Sequence, residues 1–321
     1  MPKTEFPLDP FERINSPTQY IDTVHGVEIH MKRDDLIHPD VSGNKWRKLK
    51  YHYRAFRQSH KEVMLTFGGA FSNHIAATAA LGKMYGFKTK ALVRGEEITS
   101  NATLDFCRSC GMEIETLSRK QYDARDNPEF LALLTQTLPE VYLVPEGGKG
   151  VQGMRGCMDI MDEVNDSFDM VCVAGGTGTT MAGIMCSGYK TGFHLFPALK
   201  GGAFLRAAIQ KHIVDFGSEL STQGLGKVST RSGLFLQNDY HFGGYGKVQA
   251  ELIHFMNEFY GKYGIPLDPV YTGKMMYGIY DLIKNGKIKA GTRMLAIHTG
   301  GLQGIKGMNE RLQKRGLEIK Y

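Results

Sequence analysis

The stretch "VCVAGGTGTTMAGI", residues 171–184, joins a strand pattern to a helix pattern through a glycine-rich turn. The apolar run before the turn is typical of a buried strand, and a helix is predicted from about residue 178. Backbone N–H groups at the start of a helix attract anions, and threonine hydroxyls add donors. The positions concerned are Gly176, Thr177, Gly178, Thr179 and Thr180. They suit a phosphate, although a plain strand-to-helix turn explains them equally well.

The same turn lacks the marks of nucleotide binding. A P-loop carries a lysine after its second glycine, and none is present here. A dinucleotide fingerprint needs a third glycine where Met181 stands, and the next strand pattern, 193–199, offers no acidic residue for a ribose. A monophosphate, such as a small cofactor carries, is the remaining candidate.

Outward from this turn, short apolar segments alternate with helical ones. Strand patterns precede it at 62–67, 87–93, 112–118 and 140–145, with helical patterns at 73–85, 101–110 and 127–137. After a glycine-rich joint follow helix 151–165, strand 168–174, the helix from 178, strand 193–199, helix 204–214, an irregular stretch at 215–250 and a buried strand within 292–301. This order predicts two mainly parallel sheets, whose ligands bind beyond the carboxyl ends of the strands.

The composition limits the class of protein. The chain has 321 residues, and 39 basic against 33 acidic residues leave a net charge of +6. Because this charge is spread thinly, we expect neither nucleic-acid nor membrane partners. The first residues lack an apolar signal segment, and no apolar run is long enough to span a membrane, so we expect a cytoplasmic protein.

Five cysteines form an odd set without the dense spacing of a disulfide-rich domain. Cys107 and Cys110 are one helical turn apart, which could mark a redox pair or half of a zinc site. No second pair stands at ligand spacing, so we expect structural thiols and no metal.

A second glycine turn lies in "TFGGAFSNHIAATAALG", residues 66–82. Ser72 precedes an alanine-rich helix, in the position of an N-cap. A helix cap alone explains it. The functional alternative is that Ser72, Asn73 and His74 offer donors to a carboxylate or a ring oxygen.

Two further sets of residues are weak alone. In "VSGNKWRKLKYH", residues 41–52, Lys45 and Lys48 share a helix face, which is usually a solvated one. The other set consists of hydroxyl-bearing residues next to glycines, where a backbone can approach a flat ligand closely: Tyr245, Tyr271, Thr272 and Thr299.

Together the motifs "GNKWRKL", "GGAFSNH", the threonine-rich turn, "GYG", "YTGK" and "HTGG" resemble one family. Their order and spacing, over about residues 28–304, are similar to those of the fold-type-II pyridoxal-phosphate enzymes, which are tryptophan-synthase-β-like. Within these enzymes the chain resembles the D-cysteine desulfhydrase and 1-aminocyclopropane-1-carboxylate deaminase branch. The resemblance implies an α/β fold of two three-layer domains with open, twisted sheets: a large cofactor domain, 1–47 with 151–321, and a small domain, 48–150.

The resemblance also implies roles for single residues. Lys45 matches the lysine that binds pyridoxal 5′-phosphate covalently, Lys48 a phosphate contact, and Asn73 the partner of the cofactor's 3′-oxygen. The other implied cofactor contacts are Gly176, Thr177, Gly178, Thr179, Thr180, Thr272 and Thr299. The implied substrate contacts are Ser72, Asn73, His74, Tyr245 and Tyr271, of which Ser72 and Tyr271, with Lys45, are catalytic candidates. Relatives of this kind are commonly homodimers.

One departure within the branch bears on the reaction. The deaminases of this branch have motifs similar to "YEGK" and "HLGG", whereas this chain has "YTGK" with Thr272 and "HTGG" with Thr299. A glutamate would hold the pyridine nitrogen protonated and strengthen the electron sink, whereas a neutral hydroxyl gives a weaker one. We therefore expect α,β-elimination from a small amino acid, with D-cysteine as the leading substrate. A 1-aminocyclopropane-1-carboxylate deaminase, a cofactor carrier or regulator with little turnover, and a nucleotide-dependent transferase are the alternatives.

Overall fold

The structure is a computed structural model that describes residue 11 and residues 14–96, 100–222 and 233–321. Its strands form two sheets. The larger sheet contains β1 (Thr18–Val24), β2 (Val27–Lys32), β7 (Met170–Gly175), β8 (Gly192–Pro197), β9 (Leu234–Leu236) and β10 (Arg293–Ile297). The smaller contains β3 (Val63–Gly69), β4 (Lys88–Arg94), β5 (Glu113–Leu117) and β6 (Val141–Val144).

The strand order is β1-β2-β10-β7-β8-β9 in the large sheet and β5-β4-β3-β6 in the small one. Every pair of neighbours is parallel except the β1–β2 hairpin. In the centre of the large sheet Val171 and Val173 pack against one layer of helices, while Cys172 packs against the other. Both faces of this strand are therefore buried, as parallel sheets require.

Helices cover both faces of both sheets. On the large sheet, α6 (Val151–Asp162), α7 (Thr179–Cys186) and α8 (Leu205–Thr222) form one layer, and α9 (Ala250–Tyr263), α10 (Thr272–Lys284) and α11 (Gly304–Leu312) the other. On the small sheet, α1 (Asn44–Gln58), α2 (Asn73–Tyr85) and α3 (Ala102–Ser109) lie opposite α4 (Arg119–Asp123) and α5 (Pro128–Thr137). The expected pair of three-layer α/β units is confirmed.

Local sequence explains several helix ends. Ser72 accepts a hydrogen bond from the Ile75 N–H, as an N-cap does, and Gly86 ends the same helix in the left-handed conformation. Asn127 caps α5 directly before Pro128. These signals placed both helices correctly.

The expectation of irregular structure at 215–250 is wrong at its edges. Helix α8 continues to Thr222 because Ile213 and Phe216 extend its buried face, and β9 and the start of α9 also fall in this stretch. The part from 223 to 232 lies outside the described residues.

Helix α1 contacts both units. A Cβ at Gly156 in α6 would overlap the carbonyl oxygen of Arg47, so the two helix backbones touch. The buried guanidinium of Arg47 binds both oxygens of Asp34, at 2.8 and 3.0 Å, and both oxygens of Glu163, at 2.5 and 2.8 Å. Lys32 reaches the same Glu163 at 2.7 Å. The domain boundaries at 47/48 and 150/151 stay a prediction.

Within the described ranges no helix combines the length and apolarity that a membrane crossing needs. The same residues hold no group of three or more His, Cys, Asp or Glu side chains placed to bind a metal. All five thiols are free, and burial raises the pKa of the Cys107 thiol to about 12.

Candidate active site

A cavity of about 690 Å³ lies where the carboxyl ends of strands from both sheets meet. Most of the predicted site residues line it: Lys45, Lys48, Ser72, Asn73, His74, Gly176, Thr177, Gly178, Thr180, Tyr245, Tyr271 and Thr299. A more open cavity of about 840 Å³ lies at α9, α11 and the chain end. None of the predicted residues lines that second cavity.

The amines of Lys45 and Lys48 meet inside the cavity. Both lie near the carbonyl oxygen of Gly147, Lys45 Nζ at 3.4 Å and Lys48 Nζ at 3.2 Å. Burial, and then the charge of Lys48, lower the pKa of Lys45 well below its ordinary value; burial likewise lowers the pKa of Lys48. Lys45 can thus supply a neutral amine, the form that attacks an aldehyde or removes a proton.

The first turn of α1 is pinned by both sides of the site. Gly43 has φ +60°, and a Cβ there would overlap the Thr299 carbonyl. Asn44 N–H donates to that Thr299 oxygen at 3.2 Å, and the Asn44 amide donates to Thr180 Oγ1 at 3.0 Å. These contacts fix the backbone position from which the Lys45 side chain extends.

The glycine turn leads into the amino end of α7, as the sequence predicts. Gly178 has φ +80°, and a Cβ at this position would come within 2.8 Å of Ile209. Thr177 and Thr179 share a hydrogen bond of 3.1 Å, and His212 Nε2 lies 3.2 Å from the Thr177 carbonyl oxygen. Thr179 is fully buried and does not line the cavity, so its hydroxyl serves the shape of the turn in this structure.

The second turn places Ser72, Asn73 and His74 on the wall of the cavity. Thr66 Oγ1 donates to a backbone carbonyl, so His74 Nε2, 2.8 Å away, is the donor to Thr66. Its other nitrogen, Nδ1, is buried without a hydrogen-bond partner among the described residues. Burial, and then the charge of Lys45, lower the pKa of His74 well below its ordinary value, which keeps the ring neutral.

Two tyrosines form another wall. The rings of Tyr245 and Tyr271 meet edge to face at 6.1 Å. Tyr245 is 56% exposed, yet its hydroxyl end is turned inward, where burial raises its pKa. Burial and the neighbouring Tyr245 raise the pKa of Tyr271 well above its ordinary value. Gly176 lets this phenol approach, since a Cβ there would lie 3.1 Å from Tyr271 Oη.

The two threonines that depart from the deaminase pattern lie at different depths. Thr299 is 6% exposed and lines the cavity. Thr272 is fully buried and lies outside the cavity lining, with its hydroxyl accepting the Asp268 N–H at 2.7 Å. The structure therefore does not place Thr272 with the other predicted cofactor contacts, and its role toward the cofactor stays a prediction.

Sequence reasoning missed a polar cluster on the small-sheet side. Glu146 Oε1 accepts the Tyr122 hydroxyl at 2.6 Å, and Oε2 accepts Arg125 Nε at 2.6 Å. Glu146, Tyr122 and Arg94 line the cavity. The positions of Arg94 and Glu146 at strand ends were the available signal.

Lys274 was missed as well. This buried lysine donates to three carbonyl oxygens: Ala198 at 3.1 Å, His241 at 2.9 Å and Gly244 at 2.8 Å. It therefore ties the turn that carries Tyr245 to the end of β8. Burial lowers the pKa of Lys274 to about 8.

The cavity fits a phosphate-bearing aldehyde. Two buried amines share a single described carbonyl acceptor, an arrangement that favours an added anion. The glycine turn gives backbone N–H groups at the start of α7, and Gly176 and Gly178 leave room that side chains would fill. Lys45 supplies the amine that an aldehyde needs.

Comparison with known proteins agrees with this fit. The family model described as pyridoxal-phosphate dependent enzyme matches residues 12–300. A Pyrococcus horikoshii protein, provisionally named 1-aminocyclopropane-1-carboxylate deaminase, is 32% identical over 92% of each chain. The D-cysteine desulfhydrase of Yersinia enterocolitica is 29% identical over 91% of each chain. The crystal structure of an ACC deaminase homologue superimposes with a TM-score of 0.81 at 28% identity, covering 97% of this chain and 96% of that one.

Proposed function

Because the chain belongs to the pyridoxal-phosphate-dependent enzyme family and uses that cofactor, we propose that it eliminates the β-substituent of a small amino acid. Its relatives support a lyase or deaminase of this family. D-Cysteine is the proposed substrate, giving pyruvate, ammonia and sulfide. We also propose that the enzyme acts as a homodimer, which sedimentation would test.

The observation that carries this proposal is the neutral hydroxyl of Thr299, which lines the cavity, together with the buried Thr272 outside the lining, in place of an acidic side chain. Among the described residues that line the cavity, Glu146 is the one acidic side chain, and Tyr122 and Arg125 hold its two oxygens. When bound, the cofactor supplies an electron sink, which a neutral partner leaves weaker than a carboxylate would. A weak sink is adequate for expelling a thiolate, whereas opening an unactivated cyclopropane ring needs a strong one.

Lys45 is the proposed base. Its lowered pKa favours the neutral amine, which can accept the Cα proton of the substrate. The phenol of Tyr271, whose pKa is raised, stays protonated and is better suited to donate a hydrogen bond. Ser72 was the third candidate, and its hydroxyl already accepts the Ile75 N–H at 3.3 Å.

Ser72 and the start of α2 are proposed to hold the substrate carboxylate. The helix has 13 residues, and its first N–H groups, with the Ser72 hydroxyl, lie at the cavity wall. Helix N-termini stabilise anions by the alignment of these donors. Held in this way, the substrate would present its Cα proton toward Lys45.

A second candidate is 1-aminocyclopropane-1-carboxylate deaminase. The relative from Pyrococcus horikoshii, at 32% identity, carries that name provisionally. The neutral threonines speak against this activity. The keto acid product separates the two candidates, since the ring-opening reaction gives 2-oxobutyrate rather than pyruvate.

The test is a panel of D-cysteine, L-cysteine, β-chloroalanine, D-serine and 1-aminocyclopropane-1-carboxylate, scored by the keto acid formed. We expect pyruvate from D-cysteine, and 2-oxobutyrate as the main product would overturn the assignment. Absence of any keto acid from a coloured, cofactor-loaded protein would favour the carrier instead. Lys45→Ala should release no pyruvate, and α-proton exchange at the wild-type rate in that variant would exclude Lys45 as the base.

A further inference from the structure

Asp268 is a buried acidic residue next to the cavity for which the proposed reaction has no use. It is 1% exposed and precedes α10. Its Oδ1 accepts the N–H groups of Val270 at 3.1 Å and Tyr271 at 2.5 Å. Its own N–H donates to Thr272, and its carbonyl accepts the Gly273 N–H at 2.8 Å. The hydrogen bonds of Asp268 therefore fix the backbone at the start of α10, where Tyr271 is the N-cap.

The second carboxyl oxygen of Asp268 is unused. Oδ2 is buried and has no hydrogen-bond partner among the described residues. Leaving a buried carboxyl oxygen unpaired costs free energy, so such an atom calls for an explanation.

The position of Gly301 shows what lies beside that oxygen. A Cβ at Gly301 would be 2.6 Å from Asn73 Nδ2 and 3.2 Å from Asp268 Oδ2. The amide and the carboxyl oxygen thus flank the same point, which only a glycine with φ +95° leaves free. A side-chain amide has two N–H donors, and the 3′-oxygen of the cofactor would take one of them.

We propose that Asp268 is a positioning residue that takes the second N–H of Asn73 through Oδ2, and so aims the Asn73 amide at the cofactor's 3′-oxygen. The proposal rests on the proposed role of Asn73. Oδ2 has no partner among the described residues of this structure, so the contact requires the Asn73 amide to move toward it. Asp268 then holds two residues of the cavity lining, Asn73 through its side chain and Tyr271 through the backbone. Asn73 and Asp268 are far apart in the sequence, and the fold brings both next to Gly301.

The ionisation of Asp268 makes the contact dependent on pH. Burial raises the pKa of this carboxyl to about 7, against the lowering effect of the Tyr271 and Val270 N–H groups. The charge of Lys274 acts on it from α10, and the tyrosine hydroxyls that interact with it are those of Tyr245, Tyr271 and Tyr321. His298 contacts the neighbouring Pro266 carbonyl at 2.7 Å. An ionised Oδ2 accepts the Asn73 N–H, so cofactor affinity should rise as the pH passes through this range.

The test measures the dissociation of pyridoxal 5′-phosphate from the holoenzyme between pH 5.5 and 8.5. The fluorescence of Trp46, the single tryptophan, reports binding because it adjoins Lys45. At pH 8 we expect Asp268→Asn to weaken binding about tenfold and to remove one titration step from the pH profile. Asp281→Asn is the matched control, since Asp281 lies in α10, the helix that Asp268 precedes, and accepts the Tyr240 hydroxyl at 2.8 Å.

A double-mutant cycle with Asn73→Ala isolates the pair. We expect the double variant to bind the cofactor about as weakly as Asn73→Ala alone, because Asp268 acts through that amide. Multiplicative losses, or an Asp268→Asn profile identical to the wild type, would overturn the proposal. The wild-type profile is a test that needs no variant, because a flat response between pH 6 and 8 also refutes it. Since no substrate is used, a wrong substrate assignment leaves this result intact.

Discussion

Lys45 and Lys48 direct their amines to the same carbonyl oxygen, that of Gly147, at 3.4 and 3.2 Å. They lie one helical turn apart on α1, and no described carboxylate bonds to either amine. Two ammonium groups that share one neutral acceptor in a buried site disfavour each other's charge. The pKa of Lys45 is thereby lowered, and the two positive charges favour binding of an anion in the site.

Replacing Lys48 with Met should raise the pKa of Lys45, because the Lys48 charge is one cause of its lowering. A higher pKa means that the neutral amine forms only at higher pH. The acid limb of the pH profile of kcat/KM with D-cysteine should therefore move to higher pH. Lys50→Met is the control, since Lys50 pairs with Asp159 at 2.5 Å. An acid limb that does not move would show that burial alone sets this pKa.

Gly43→Ala should destabilise the protein and displace Lys45. The new Cβ would overlap the Thr299 carbonyl in addition to the strain of φ +60°. Gly286 has φ +65° with open space around it, so Gly286→Ala carries the strain without the overlap. We expect the control to cost about 1 kcal/mol in free energy of unfolding, and Gly43→Ala to cost more and to weaken cofactor binding. Urea denaturation and absorbance titration measure the two effects, and equal losses in both variants would contradict the role of the overlap.

Removing one partner of the buried Arg47 network should be costly. Arg47 is 2% exposed and Asp34 fully buried, so Arg47→Met leaves an acidic group uncompensated. We expect a loss of about 3–5 kcal/mol in free energy of unfolding, measured by urea denaturation. In contrast, Asp215→Asn, which breaks the exposed pair with Lys211 on α8, should change the stability little. Similar effects of the two substitutions would mean that the network is solvated.

Asp268 should make the folded state less stable as the pH rises. Its folded-state pKa of about 7 is above the ordinary value, so the folded protein binds more protons than the unfolded chain between about pH 4 and 7. Stability from this group is complete below that window and is lost across it, by roughly 4 kcal/mol for a shift of this size. Asp268→Asn lacks this loss, so its stability relative to the wild type should increase from pH 5 to pH 8. A difference that is the same at both pH values would show that Asp268 has an ordinary pKa.

Much of the fold could be read from local sequence. The turns at 68–73 and 175–179 were recognisable because glycine, an N-cap and a change of period occur together within a few residues. The hairpin of β1 and β2 was missed, since the edge strand β1 carries polar residues such as Gln19 and Asp22 and has one buried residue, Ile21. Helices α9, α10 and α11 were left unassigned within the region after residue 250.

The same distinction between local and long-range signals holds for the residues of the site. Residues next to glycine turns, such as Lys45 and Asn73, were found from their motifs. Contacts between residues that are far apart in sequence were not, because nothing local specifies them. Tyr122 and Glu146 are 24 residues apart in the sequence and form a hydrogen bond. Asp268 and Asn73 both lie beside Gly301, which has a positive φ and no side chain to separate them.

The three hydrogen bonds that Lys274 donates hold one side of the cavity in place. By tying the Tyr245 turn to the end of β8, they make that rim part of the rigid large-sheet scaffold. The opposite rim carries Phe71, which is 52% exposed and rests near Gly307 of α11. The Tyr245 rim is therefore the part of the cavity wall that three buried hydrogen bonds attach to the large sheet, so loss of the Lys274 amine would release this rim first.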